Sequence, residues 1–220
     1  ILQKVYIDDI ISRNSIAKIE YFEKTLNVLA SVIGSLTNPR KIASTMNSVH
    51  GTTTCEATVD RYIGYAEEAF MLTRVKRYNV KRRKYIGTPY KIYFEDVGLR
   101  NARLSFRQIE ETHIMENIIY NELRYRGYLV DVGTVETREK DSTGKEIRVQ
   151  REIDFIASLG SKKYYIQSAF AMTTPEKQVQ EERPLNAIGD SFKKKAPKNR
   201  IRPGSAEHQK IVFQAIALSA

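Results

Sequence analysis

Residues 148–157 read Arg-Val-Gln-Arg-Glu-Ile-Asp-Phe-Ile-Ala, and residues 162–172 read Lys-Lys-Tyr-Tyr-Ile-Gln-Ser-Ala-Phe-Ala-Met. Both stretches are rich in β-branched and aromatic residues and a short turn separates them, a pattern that predicts two neighbouring strands. Asp154 lies in the first strand and Gln167 in the second, and a predicted helix upstream carries Glu116. An acid in a helix, an acid in one strand and a polar residue in the next indicate a metal-dependent nuclease core.

Positive charge is the strongest bulk property of the chain. The formal net charge is +10, and residues 69–94 contain eight Lys or Arg residues and no Asp or Glu. A second basic cluster runs from Lys193 to Arg202. Such charge favours binding to nucleic acid through counterion release, and the alternative is a solvated basic surface.

Two further properties of the sequence bear on its location. The single cysteine, Cys55, cannot form an internal disulfide and indicates a reducing, cytoplasmic compartment. No apolar run reaches the length needed to cross a bilayer, so we expect no membrane partner. The chain begins at Ile1 and not at Met, which indicates a fragment or a processed product.

The first hundred residues have the order of a winged helix-turn-helix domain (residues 1–100). Apolar spacing predicts helices over 1–11 and 15–33, the second capped by Ser15. Asn38-Pro39 begins a third helix that ends near Val49. A fourth helix is predicted over 55–70, and strands over 71–78 and 90–94 follow it.

In such a domain the fourth helix is the recognition helix and the segment 74–91 is the wing. Thr58 and Arg61 would then face the major groove of duplex DNA. Basic side chains of the wing would contact phosphates, which positions a protein without reading sequence; these are Arg74, Lys76, Arg77, Lys81, Arg82, Arg83, Lys84 and Lys91.

Residues 101–220 are predicted to form a second, α/β domain, with an uncertain basic tail from about residue 190. A long amphipathic helix over 107–126 precedes strands over 128–133, 149–157 and 163–170, which favours helices packed on a mixed sheet. Because side chains alternate along a strand, we expect Glu152 and Asp154 on one face and Ile153 and Phe155 on the other. Glu152 is therefore a further candidate ligand.

Four segments, residues 90–101, 113–120, 152–157 and 165–167, resemble the family called domain of unknown function 4143. That domain forms the C-terminal part of many bacterial and archaeal AAA-type ATPases, is similar to PD-(D/E)XK (restriction-endonuclease-like) nucleases and usually follows a winged helix. The resemblance implies an ATPase domain upstream as a partner and leaves a homo-oligomer open. The chain contains no Gly-x-x-x-x-Gly-Lys-Ser/Thr loop, so we expect no ATP site in it.

The resemblance also implies a candidate catalytic site. Asp154 and Glu116 would bind Mg²⁺ or Mn²⁺, and Gln167, in place of the usual glutamate, would be a weaker ligand. Ala169 occupies the position of the catalytic lysine, which favours a degenerate core that binds DNA without cutting it. One alternative is an active nuclease with a relocated basic residue, which would be Lys162, Lys163 or Arg151. A second alternative is a protein-interaction module that docks the ATPase or another partner.

Overall fold

The computed structural model of the chain describes residues 2–169, 175–188 and 209–214. The basic cluster at 193–202 lies outside the described residues. Within the described ranges, no helix combines the length and the apolar composition that a membrane crossing requires.

The described residues form an α+β fold in which helices flank a mixed sheet, as predicted. The helices are α1 (Leu2–Arg13), α2 (Ile19–Ser31), α3 (Pro39–His50), α4 (Glu56–Glu68), α5 (Val97–Arg103), α6 (Glu111–Tyr125) and α7 (Pro175–Asn186). The strands are β1 (Leu72–Asn79), β2 (Lys84–Phe94), β3 (Leu129–Lys140), β4 (Glu146–Leu159), β5 (Lys162–Ala169) and β6 (Gln209–Gln214).

The strands follow the order β2-β1-β3-β4-β5-β6 across the sheet. β3, β4 and β5 are antiparallel neighbours, whereas β1 pairs with β3, and β6 with β5, in parallel. The three antiparallel strands place Asp154 and Gln167 on central, adjacent strands, as the sequence predicts.

The chain divides into two compact units. The first contains residues 1–75 and 88–117, and the second contains residues 76–87 and 118–220. This division differs from the predicted boundary at residue 100 in two segments: residues 76–87, with the turn between β1 and β2, group with the second unit, and residues 101–117 group with the first.

Helix caps explain much of the first unit. The side chain of Asn38 accepts a hydrogen bond from the Lys41 amide at 2.8 Å, Pro39 occupies the first turn, and Gly51 ends α3 with a left-handed φ of 61°. α2, α3 and α4 bury apolar side chains against one another; Phe22, Leu26, Leu29, Ile42, Met46, Val59 and Ile63 form the centre of this core.

Asn47 fixes the turn between α3 and α4. Its Oδ1 accepts hydrogen bonds from the Thr54 amide at 2.8 Å and the Thr52 hydroxyl at 2.9 Å, and its Nδ2 donates to the Thr54 carbonyl at 3.0 Å. Three bonds to one side chain hold this polar turn in a single conformation, which sets the angle between the two helices.

Helix α5, which the sequence interpretation missed, attaches to α2 through two arginines. The buried Arg100 donates from Nε to the Ala30 carbonyl at 2.7 Å and from Nη1 to the Gln108 carbonyl at 2.6 Å. Arg103 donates to Asn27 Oδ1 at 2.9 Å. Burial lowers the pKa of both guanidinium groups.

A separate core lies in the second unit. Leu185 and Ile188, in and just after α7, pack on Val135, Ile153 and Ile156 of the sheet. On α6, the ring of Tyr120 lies 6.4 Å from that of Phe155, measured between centroids.

One predicted cap is wrong. Ser15 does not begin α2; its φ of 49° is left-handed, and the flanking Ile16 amide donates to the Ile11 carbonyl at 3.0 Å, which closes the end of α1. α2 begins four residues later, after Lys18, without a side-chain cap.

Candidate functional site

Asp154 and Gln167 are neighbours in the sheet of the second unit. β4 and β5 pair Phe155 with Ile166, and the next positions along that register are Asp154 and Gln167. Both side chains are buried, with exposures of 7% and 8%. Asp154 Oδ2 accepts hydrogen bonds from the Ser168 amide and the Ser168 hydroxyl, each at 2.7 Å. This oxygen therefore ties the two strands together.

A β-bulge at Asp154 changes which side chains share a face. Asp131 pairs with Ile156 but Gly133 pairs with Ile153, so Asp154 and Phe155 both lie opposite one residue of β3. Ile153 packs in the core under α7, while Phe155 contacts Tyr120 of α6. The expectation that Ile153 and Phe155 share a face is therefore wrong, since an extra residue interrupts the alternation.

Gly133 is what allows the two strands to approach at this bulge. A Cβ atom on Gly133 would lie 2.8 Å from Ile153 Cβ and 3.0 Å from Ile156 Cγ1. The first of these atoms is fixed by the backbone of β4, so no side-chain rotation relieves the overlap.

Glu116 is buried in the first unit, where it forms an ion pair. Lys91 Nζ donates to Glu116 Oε1 at 2.7 Å, and the hydroxyl of Tyr93 donates to the same oxygen. A Cβ on Gly34 would lie 3.3 Å from Glu116 Oε2, so a larger residue at this position would crowd the other oxygen. The exposed fractions of the Lys91 and Glu116 side chains are 4% and 6%.

These surroundings do not fit a divalent cation held by the predicted ligands. Oε1 of Glu116 is occupied by a lysine ammonium, which would repel a metal ion, and Oδ2 of Asp154 is occupied by Ser168. Within residues 2–169, 175–188 and 209–214, no three His, Cys, Asp or Glu side chains are grouped as a metal site requires.

Two of the predicted phosphate contacts are buried, and a third is half-buried and engaged in ion pairs. Lys91 is buried with Glu116, and Arg77 is 8% exposed. Burial lowers the pKa of Arg77, and Glu152 opposes that shift. Arg74 is engaged in the first unit with Glu67 at 2.7 Å and Asp60 at 2.5 Å. These surroundings disfavour the predicted DNA contact at these three residues.

Residues 81–84, which comprise the end of the turn between β1 and β2 and the first residue of β2, are exposed as predicted; we call them the basic turn. The Arg82 amide donates to Asn79 Oδ1 at 2.8 Å, which fixes the turn to β1. Lys81 Nζ donates to the Glu136 carbonyl at 2.6 Å, and Arg82 Nη2 lies 3.1 Å from the Glu136 carboxylate. Arg83 and Lys84 are exposed, as is Lys76 on β1.

The predicted recognition helix, α4, has a mixed surface. Arg61 is exposed, but Thr58 is half-buried and its hydroxyl lies 3.2 Å from the Cys55 sulfur. Three acids on the same helix, Glu56, Asp60 and Glu68, are exposed. This helix is therefore a weak candidate for contact with phosphates.

The net charge resides in the second unit. From the sequence, the first unit has 12 Lys and Arg residues against 13 Asp and Glu, a formal charge of −1. The second unit has 24 against 13, a charge of +11, and the two together give +10 for the chain.

Two features of the second unit were missed in the sequence. β3 and β4 extend as a ribbon in which the exposed Arg138 and Arg148 are cross-strand partners. The alternating charges after Gly133 were the available signal for this longer ribbon. The second feature is a cluster that Tyr85 forms with Tyr78, Asp131 and Lys163. No local sequence pattern indicates it, because its members lie on four different strands.

The Tyr85 ring packs edge-on against Tyr78, with centroids 5.2 Å apart, and its hydroxyl donates to Asp131 Oδ2 at 3.1 Å. The ammonium of Lys163 lies 5.4 Å from the centre of the Tyr78 ring. Burial raises the pKa of the Asp131 carboxyl, and the hydrogen bond from Tyr85 and the charge of Lys163 partly oppose this.

Comparison with known proteins gives relatives of the chain but no activity. It is 30% identical over 194 residues to an uncharacterized protein of Haemophilus influenzae, covering 88% of this chain and 44% of that protein. It is 23% identical over 177 residues to the uncharacterized protein MJ1544 of Methanocaldococcus jannaschii, covering 80% and 37%. The chain thus spans less than half the length of these curated relatives. No solved structure matches it.

The resemblance to domain of unknown function 4143 is wrong. The family model that matches the chain, over residues 1–110, describes a different domain of unknown function, and nothing in the comparisons indicates an AAA-type ATPase. The four segments quoted for the resemblance are short, and three of the four lie wholly beyond residue 110. The model that does match covers half of the chain, which therefore belongs to the family described as domain of unknown function 8612 (DUF8612).

Proposed function

We propose that this chain binds nucleic acid through the basic surface of its second unit. The observation that carries the proposal is the separation of charge: the described residues of the second unit contain 18 Lys and Arg against 11 Asp and Glu, a formal charge of +7, whereas the first unit has −1. Counterion release makes such a surface bind polyanions, and the absence of acids from residues 76–87 concentrates the effect at the basic turn.

The four residues of the basic turn have two different roles. Lys81 and Arg82 are held by Glu136, so they keep the turn against β3. Arg83 and Lys84 are exposed beside them and supply the charge that would meet phosphates. Arg138 and Arg148 of the ribbon extend the same type of surface. Contacts of this kind position nucleic acid without reading its sequence.

The architecture supports two finer parts of the proposal. In the first unit, the order helix, short bridge, helix, helix, strand is that of a winged helix; Thr37 and Tyr90 form the bridge through hydrogen bonds of 2.8 and 2.9 Å. The second unit contains, in chain order, a helix, three antiparallel strands, a helix and a parallel strand. This order supports a nuclease-like fold. The exposed Cys55 suits a reducing cytoplasm.

Phosphodiester cleavage is not part of the proposal. The predicted ligands Glu116 and Asp154 are committed to Lys91 and to Ser168, and Ala169 supplies no charge where a lysine is needed. The arrangement favours holding nucleic acid over cutting it.

The test is binding of fluorescein-labelled oligonucleotides, measured by anisotropy across a salt series. We expect log K to fall linearly with log salt, with a slope of about −0.9 for each neutralised phosphate of a duplex. Arg83→Gln with Lys84→Gln should reduce the magnitude of this slope by about 1.8, because the double variant loses two phosphate contacts. A flat salt response in the wild-type protein would refute nucleic-acid binding and favour a protein-interaction module.

The chain offers a matched control for this variant. Arg40 and Lys41 form the same exposed dipeptide on α3 of the first unit. Arg40→Gln with Lys41→Gln removes the same net charge and should leave the slope unchanged. If both double variants reduce the slope equally, binding follows total charge and not the basic turn.

A further inference from the structure

The basic turn is followed directly by an exposed aromatic ring. Tyr85 is the residue after Lys84, and 59% of its surface is exposed. Exposed large aromatic side chains next to basic residues are the usual components of surfaces that bind single-stranded nucleic acid, because bases stack on rings while cations meet phosphates.

The ring is held in place, unlike an ordinary surface tyrosine. The ring of Tyr78 packs against it with centroids 5.2 Å apart and an interplanar angle of 70°. Asp131 Oδ2 accepts a hydrogen bond from the Tyr85 hydroxyl at 3.1 Å. Because two contacts fix the ring before a ligand arrives, a base that stacks on it loses less conformational entropy than it would on a free side chain.

The acidic group that contacts the ring, Asp131, is compensated by its neighbours. Asp131 would repel a phosphate, but its carboxylate is turned to the Tyr85 hydroxyl, and the charge of Lys163 acts on it. Lys84 and Arg83 lie one and two residues before the ring, and two residues of extended chain span at most about 7 Å, so both cations lie near the ring.

We propose that Tyr85 is a stacking platform for an unpaired base, so that the second unit prefers nucleic acid with single-stranded segments over blunt duplex. This inference rests on the proposed function, since the basic turn must hold the backbone for the ring to receive a base. A base inside a duplex is already stacked on its neighbours and offers no free face to Tyr85.

The test uses two substitutions at Tyr85. Tyr85→Leu keeps apolar bulk on Tyr78 but removes the aromatic face, and we expect affinity for a single-stranded oligonucleotide to fall roughly 5- to 150-fold, the range of base–aromatic stacking. Affinity for a blunt duplex of the same length should change by less than about twofold. Tyr85→Phe keeps the ring and should retain most of the single-strand affinity. Tyr125→Leu, at a tyrosine 89% exposed on α6, is the matched control and should change neither affinity.

A second readout reports stacking itself. An oligonucleotide with one 2-aminopurine should show quenched fluorescence on binding to the wild-type protein and to Tyr85→Phe, and less quenching with Tyr85→Leu at saturating protein. Equal loss of single-strand and duplex affinity in Tyr85→Leu, or unchanged single-strand affinity, would overturn the platform while leaving the proposed function intact. Absence of salt-dependent binding in the wild-type protein would overturn both.

Discussion

Removal of one partner of the Lys91–Glu116 pair should destabilise the first unit severely. Both side chains are almost fully buried and lie 2.7 Å apart, so Lys91→Met leaves a carboxylate, and Glu116→Gln leaves an ammonium, without its opposite charge. Breaking a buried pair in this way costs about 3–5 kcal/mol. Since whole domains are stable by about 5–15 kcal/mol, either variant should lower the unfolding midpoint substantially.

The double variant separates the charge effect from packing. Lys91→Met with Glu116→Gln removes both charges and keeps an acceptor for the Tyr93 hydroxyl. We therefore expect the double variant to be more stable than the sum of the single effects predicts, with a coupling above about 1 kcal/mol. Urea unfolding followed by circular dichroism gives the free energies, and amide hydrogen exchange assigns the loss to the first unit.

This reasoning has a clear point of failure. If Glu116→Gln costs less than about 1 kcal/mol, or if the single effects simply add, the pair contributes little to stability. The structural role inferred for Glu116 would then be wrong. Glu116 should in that case be tested again as a metal ligand, for example by measuring whether Mn²⁺ stabilises the protein.

Two further predictions concern the second unit. Gly133→Ala places a Cβ 2.8 Å from Ile153 Cβ, so we expect a loss of about 1–3 kcal/mol in urea unfolding. Gly64→Ala, in helix α4 with nothing within 4 Å, is the control and should be stabilising by about 0.5–1 kcal/mol; equal effects of the two would contradict the overlap. Because burial raises the pKa of Asp131 above its usual 3.8, its ionisation opposes folding as pH rises above that value. Asp131→Asn should therefore be more stable than wild type at pH 7 in thermal unfolding, with an advantage that shrinks as the pH falls toward about 4 and is lost below it; a constant difference would refute this.

Local signals in the sequence are sufficient for several elements. Asn38 and Pro39 act on their own backbone, and they define the start of α3 as predicted. β4 and β5 were found from their apolar and aromatic composition. α5 was missed because the contacts of Arg100 and Arg103 are with α2, about 70 residues away in the chain.

Side-chain roles were harder to predict than strands, because partners decide them. Lys91 belongs to the acid-free segment 69–94, so the sequence favours contact with phosphate, yet its partner Glu116 lies 25 residues further on. Phe155 illustrates a second difficulty. Alternation along β4 predicts its face, but the bulge opposite β3 arises from pairing between strands, which no local pattern records.

The change in the assignment of the basic turn matters most for function. The sequence places this turn in a winged helix and so predicts that α4 and the turn approach duplex DNA together. In the structure the turn belongs with the second unit, through Asn79 and Glu136, whereas α4 belongs with the first unit and exposes acids. If phosphates bind at the turn, the neighbouring group that selects among nucleic acids is then Tyr85 and not the helix. A preference for unpaired bases, and not for a duplex sequence, is the specificity that this placement implies.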